Sequence, residues 1–186
     1  LLFFALQKNN CRPILCHHGL QEGEIQALVT DNKLTGYLAW KTFPCLKKIQ
    51  RPERAAGKPL AGEAVFGVLS SGSTGTPKVM YRTYESWAGF FPVQNRIFAV
   101  GRETKVFIQG NLSFTGNLNV LLAVLFAGGT VCTSDLVACQ KWEKIIVGAG
   151  VQEIYLVPPK LRLLALRLKA VNDEVRMIFT GSQLFD

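Results

Sequence analysis

Several features that would characterise a sequence at once are missing here. Five cysteines, Cys11, Cys16, Cys45, Cys132 and Cys139, make an odd set with no C-x-x-C pair, which excludes a dense disulfide framework and suits a reduced, cytoplasmic setting. Cys16-His17-His18, with Cys11 upstream, lacks a second ligand pair, and neighbouring residues of a strand point to opposite faces, so no metal site is expected. The longest later apolar stretch, Val120 to Ala127, is far below the ~20 residues of a membrane-spanning helix. The apolar start, Leu1 to Leu6, has no basic segment before it and no small-residue cleavage site after it, so no signal peptide is read. Opening on Leu within an element, it is expected to follow further chain. There is no internal repeat or low-complexity segment. The formal net charge is +8, yet Lys and Arg are scattered from Lys8 to Arg176 without a long basic run or a nucleic-acid motif, so no nucleic-acid partner is expected.

Two familiar phosphate-binding signatures are absent as well. The Walker loop needs Gly, four residues, then Gly-Lys-Ser/Thr, and the fifth position after Gly72 is Pro77. Gly72-x-Thr74 does not reproduce the dinucleotide fingerprint G-x-G-x-x-G.

What is present begins with an ordinary globular composition, 48% hydrophobic and 18% charged over 186 residues, enough for one substantial domain or two small ones. The most specific stretch is Ser70-Ser71-Gly72-Ser73-Thr74-Gly75-Thr76-Pro77-Lys78. Gly72 and Gly75 tolerate positive φ, so the loop can turn its N–H groups inward as an anion nest. Ser71, Ser73, Thr74 and Thr76 add hydroxyl donors, Pro77 fixes the turn, and Lys78 supplies a compact positive charge. A Ser/Thr/Gly/Pro cluster can equally be a surface turn between strands. The order of the residues and the fixed Lys favour a nucleotide phosphate.

Along the chain, Leu1–Asn10 reads as the end of a buried helix, Arg12–Cys16 as a strand, Glu22–Thr30 as a helix and Gly36–Trp40 as a strand, together a parallel α/β unit. Lys41–Glu63 is rich in Lys, Arg, Pro and Gly and reads as loop or linker. Ala64–Leu69 and Val79–Arg82 are strands on either side of the glycine-rich loop. Thr83 caps a helix from Tyr84 to about Arg96 with Trp87, Phe90 and Phe91 on its apolar face. Then follow the strand Lys105–Gln109, the helix Asn117–Phe126, a Gly128-Gly129 stop before the strand at Val131, the helix Asp135–Val147 and the strand Glu153–Val157. After Pro158-Pro159 comes the helix Lys160–Ala170, with Leu161, Leu164 and Leu168 on one face and Lys160, Arg162, Arg167 and Lys169 outward. Arg176–Thr180 is the last strand. Ligands in such sheets bind where the loops after the strands gather.

The stretch Ser70–Lys78 resembles the glycine-rich signature of the adenylate-forming (AMP-binding) superfamily: acyl-CoA and aryl-CoA synthetases, peptide-synthetase adenylation domains and firefly-type luciferases. Val79 stands where that family has its closing Gly. Asn111-Leu112-Ser113-Phe114-Thr115-Gly116 resembles the family's Pro-Leu-Phe-His-x-x-Gly, with Phe114 in the aromatic or His position. Gly181-Ser182-Gln183-Leu184 resembles the family's turn beside the nucleotide and acid, Ser182 replacing Gly or Ala.

The resemblance implies an α/β fold, a parallel sheet flanked by helices, covering part of the family's large N-terminal domain. Two subregions are expected, 1–62 with an exposed linker at 41–62, and 63–186 carrying the phosphate loop. It also implies ATP-dependent conversion of a carboxylic acid to an acyl-adenylate, with Mg²⁺, and transfer to CoA or to carrier-protein phosphopantetheine. Ser71, Gly72, Ser73, Thr74, Gly75, Thr76 and Lys78 would hold phosphates, and Phe114, Gly181 and Ser182 would border the acid. The family's metal-binding Glu stretch, ribose-binding Asp motif, hinge and catalytic-Lys domain do not occur in this sequence, so no catalytic residue is assigned and the chain alone is expected to be inactive. The alternatives are a non-catalytic nucleotide-binding or regulatory α/β module and, third, a kinase or hydrolase of unrelated fold.

Overall fold

The short apolar runs Val106–Ile108 and Ile154–Leu156 in the second half of the chain are buried on both faces, the pattern of parallel strands covered by helices. In the computed structural model, which describes residues 2–17, 19–38, 47–48, 64–70, 78–134, 139–167 and 173–181, they form such a sheet. The chain divides into two units, Leu1–Arg82 and Thr83–Asp186.

In the first unit, α1 (Leu2–Lys8) is followed by α2 (Glu22–Asp31), whose Glu24 carboxylate accepts from the Gln21 N–H at 2.7 Å, securing the helix start. The expectation that α1 is buried is corrected: none of its residues is, and Leu2 and Phe4 are exposed. Its apolar residues run round the helix, whereas its contact with the strand that follows comes from Phe3, edge-on to Phe66 at 5.5 Å, and Gln7, which donates to the Val65 carbonyl.

The parallel strand–helix–strand reading of residues 12–40 is corrected too. Ile14 makes an isolated parallel bridge to Gly67, while β1 (Gly36–Tyr37) pairs antiparallel with β2 (Lys47–Lys48). Pro13 has no N–H to extend a ladder, though its carbonyl accepts from Gly67 at 3.0 Å. Lys47–Lys48 falls inside the stretch read as linker, and two lysines carry no strand signal.

Then come β3 (Ala64–Ser70) and β4 (Lys78–Thr83), paired in a two-stranded sheet and bracketing residues 71–77. Phe66 and Val68 of β3 are buried. A Cβ at Gly67 would come within 2.9 Å of both Ile14 and Val79 side chains, so the missing side chain is what lets these two branched residues close on β3.

The second unit begins where the Thr83 hydroxyl accepts from the Ser86 N–H at 3.1 Å, the expected cap. The single helix read over Tyr84–Arg96 is instead two, α3 (Tyr84–Ala88) and α4 (Phe91–Ile97). Pro92 accounts for the break: inside a helix its ring would meet the Ala88 carbonyl, whereas in the first turn of α4 it is tolerated. Trp87 and Phe91 are buried as expected, but Phe90, in the turn, is exposed.

Next come β5 (Lys105–Ile108), α5 (Thr115–Phe126), β6 (Thr130–Thr133), α6 (Cys139–Ala149), β7 (Glu153–Tyr155), α7 (Pro158–Ala165) and β8 (Met177–Phe179). The strands form a four-stranded sheet in the order β6-β5-β7-β8, every pair parallel, with Phe107 level with Cys132 and Ile154, and Ile154 level with Ile178. Alternation along β5 sends Val106 and Ile108 into one core with Val120 and Val124 of α5, and Phe107 into the other with Trp142 and Ile146 of α6 and Leu164 of α7. Helices thus cover both faces, as a parallel sheet requires.

Among the described residues, one fully buried charge lies in this frame. Glu153, fully buried at the start of β7, meets Arg176 at 3.0 Å, and the same guanidinium nitrogen donates to the Ala99 carbonyl and the Thr104 hydroxyl. Burial pushes the Glu153 carboxyl up in pKa, against the opposing hydrogen bond and charge of Arg176.

Candidate functional site

The strand order creates a topological switch point. From β5 the chain crosses to β6 on one side, then returns past β5 to β7 and on to β8, so the connections leave β5 and β7 in opposite directions and open a crevice at their C-terminal ends. Gln109-Gly110-Asn111 leave β5 at this edge, Pro158-Pro159-Lys160 follow β7, and Thr180-Gly181 follow β8.

Lys160 joins the two sides of the crevice. Its ammonium donates to the Gln109 carbonyl at 3.0 Å, so its outward placement in the sequence reading is corrected. The residue is half-buried, and desolvation lowers its pKa. It has no carboxylate partner among the described residues. Pro158 and Pro159 take the first positions of α7 and offer no N–H groups, which leaves the Lys160 ammonium as the cationic donor of this corner.

Gly110 makes the approach possible. Its φ is +150°, and a Cβ there would lie 2.2 Å from Asn117 Nδ2 and 3.2 Å from Lys160 Nζ. Asn117 in turn donates to the Asn111 carbonyl at 3.1 Å, and the Asn111 side chain accepts from the Ser113 N–H. Gln109 is 7% exposed, and its side-chain oxygen, Oε1, is buried with no hydrogen-bond partner among the described residues. By alternation Gln109 falls on the Phe107 face of the sheet, the face that α7 covers.

Of the residues singled out in the sequence, Phe114 and Gly181 come to this same edge, with β7 between their strands. Phe114 stands at the start of α5 and is 56% exposed. Gly181 lies beside the Tyr155 hydroxyl, 3.6 Å from where its Cβ would be. Lys78 opens β4 with an exposed side chain. Ser71, Gly72, Ser73, Thr74, Gly75, Thr76 and Ser182 lie outside the described residues. Lys160 and Gln109 were not among the expected site residues. The available signal was a Lys placed straight after Val-Pro-Pro at the end of a buried strand. Among the described residues no group of three His, Cys, Asp or Glu side chains could hold a metal ion, so none is assigned to Mg²⁺, and no helix is long and apolar enough to cross a membrane.

A parallel sheet covered by helices, with a switch point between β5 and β7, defines a doubly wound α/β domain, a class whose ligands bind outside the carboxyl ends of the strands. Its relatives narrow the class. No family model matches the sequence. The uncharacterised acyl-CoA ligase YhfT of Bacillus subtilis is 32% identical over 115 residues, 61% of this chain and 24% of the ligase. Nonribosomal peptide synthetase 9 of Aspergillus fumigatus is 32% identical over 127 residues, 68% of this chain but 10% of the synthetase. Among solved structures, apo MbtA of Mycobacterium smegmatis superimposes with a TM-score of 0.77 at 16% identity, over 99% of this chain and 40% of MbtA. These likenesses support the adenylate-forming (AMP-binding) superfamily, with the chain matching part of a domain whose fold it shares with those structures. The chain covers only a small fraction of either curated relative.

Proposed function

We propose that this chain is the phosphate- and acid-binding part of an enzyme that activates a carboxylic acid with ATP. A carboxylate oxygen attacks the α-phosphorus, the bond to pyrophosphate breaks, and an acyl-adenylate forms; a thiol of CoA or of carrier-protein phosphopantetheine then takes the acyl group and AMP leaves. In this reading Ser71, Gly72, Ser73, Thr74, Gly75, Thr76 and Lys78 hold the departing phosphates, and fixed donors there stabilise the charge that builds on them. Phe114, Gly181 and Ser182 border the acid, and magnesium enters with ATP. The observation that carries the reading is the nine-residue signature Ser70–Lys78, bracketed by β3 and β4.

The second reading, a nucleotide-binding module without catalysis, draws on Val79: in place of the closing Gly it carries a branched side chain that packs over Gly67. ATP–pyrophosphate exchange with a panel of carboxylic acids separates the two, run on the 186-residue chain and on any longer form encoded with it. Acid-dependent exchange by the longer form and none by the 186 residues is the expected result. Nucleotide binding without exchange in either would favour the module. Phosphate release from ATP with no acid present would overturn both.

A further inference from the structure

The corner formed by Lys160 and Gln109 has more hydrogen-bonding capacity than the described residues use. Lys160 has three donors and spends one on the Gln109 carbonyl. Gln109 Oε1 is a buried acceptor without a donor among the described residues. Such an orphan costs free energy unless something supplies the missing proton. The two needs are complementary: the ammonium requires an acceptor, the amide oxygen a donor.

One common group meets both. A hydroxyl donates one hydrogen bond and accepts two, whereas a carboxylate only accepts and would be repelled by the amide oxygen, and a methylene does neither. We propose that the crevice between β5 and β7 is a hydroxyl subsite, in which a hydroxyl on the acid accepts from Lys160 Nζ and donates to Gln109 Oε1. The substrate class is then a hydroxylated carboxylic acid. This rests on the reading of the chain as an acid-activating domain and deepens it. Gly110 belongs to the same device, because a side chain there would occupy the space where Asn117 and Lys160 approach.

The test compares three ligands of matched size on the full chain by calorimetry: γ-hydroxybutyrate, butyrate and succinate, and likewise para-hydroxybenzoate, benzoate and terephthalate. A hydrogen bond to a charged group leads us to expect the hydroxy acid of at least one set to bind about tenfold tighter than its deoxy partner. Lys160→Met should erase that ratio and Lys160→Arg should keep part of it. A purely structural role for Lys160 would lower thermal stability in the Met variant without moving the ratio, and would overturn the proposal. So would preference for the dicarboxylate, equal binding of hydroxy and deoxy acids, or no binding of any acid. The same ligands in the exchange assay keep the two readings apart. In a longer form encoded with the chain, binding preference without exchange removes the adenylation reading and leaves the subsite; exchange with butyrate and benzoate as good as with their hydroxy forms removes the subsite and leaves adenylation.

Discussion

The two units of this chain place their information differently. The first carries the most specific letters, Ser70–Lys78, on a frame in which Leu28, Val29, Phe66 and Val68 are the buried hydrophobic residues among those described. The second carries looser motifs at Phe114 and Gly181 but encloses a core on both faces of its sheet. On the proposed reading, the difference follows from what each part would do. A phosphate is gripped by backbone N–H groups, hydroxyls and one cation, so its requirements are written in residue identity over a short span. An acid is received by a crevice whose shape comes from strand order, so its requirements are spread over residues far apart in sequence.

Removing the central aromatic of the second unit should give the largest effect. Trp142 is 1% exposed and lies 6.2 Å from the Phe107 ring in a cluster shared with Ile146, Ile154 and Leu164. Trp142→Ala should cost about 4 kcal/mol, transfer and cavity terms together. Guanidinium unfolding followed by far-UV circular dichroism reads it as a lowered midpoint for the second unit. A loss below about 1 kcal/mol would mean that the core is not the closed one described.

Next in size is the Glu153–Arg176 pair. Arg176→Ala leaves Glu153 buried without its cation; since the Arg176 side chain is itself half exposed, the expected cost is about 2–3 kcal/mol, at or below the low end for a broken buried pair. The pH dependence has a definite sign. Burial raises the Glu153 pKa in the folded chain above its ordinary 4.5, so the stability it contributes is present below that value and lost as pH rises through the folded pKa. Without Arg176 the folded pKa should rise further. The cost of Arg176→Ala should therefore be larger at neutral pH than in mild acid, and Glu153→Gln should flatten the slope in both backgrounds. A pH-independent cost would assign the effect to the lost contacts with Ala99 and Thr104 alone.

These residues also show how far the sequence could be read. The run of strands and helices in the second unit was legible because buried parallel strands announce themselves as short apolar runs, and the Thr83 cap and Pro158-Pro159 mark helix starts by local chemistry. The break at Pro92 was within reach, but aromatic periodicity across Tyr84–Arg96 outweighed one residue. The exposure of α1 and the pairing of Lys47–Lys48 depend on neighbours that no local pattern names. The same holds for Lys160, whose contact with Gln109 spans 51 positions and exists only because β7 lies beside β5.

A smaller effect is expected in the first unit at Gly67. Both neighbours of its missing Cβ, Ile14 and Val79, are branched side chains at 2.9 Å with little freedom to retreat. Gly67→Ala should destabilise the β3–β4 pair by about 1–2 kcal/mol through overpacking. Pairing it with Val79→Gly, which restores the residue found in related signatures, should recover most of that loss. Thermal melts of the single and double variants check this, and additive losses would show that the two positions do not share the space.

Lys78 should give the smallest effect on folding and the clearest one on chemistry. Its side chain is exposed at the start of β4, so Lys78→Ala should leave stability within about 0.5 kcal/mol of the parent. If residues 71–77 and Lys78 grip phosphate together, the same change removes one cation from the nest, and ATP affinity should fall about tenfold, the size of one charge-assisted hydrogen bond. The loss should shrink as ionic strength rises, because an exposed charge is screened. Titration with ATP at low and high salt reads both terms. Unchanged affinity would move the phosphates away from Lys78; a melting-point drop with unchanged affinity would make Lys78 a strand residue of the first unit and break its contrast with the packed second unit.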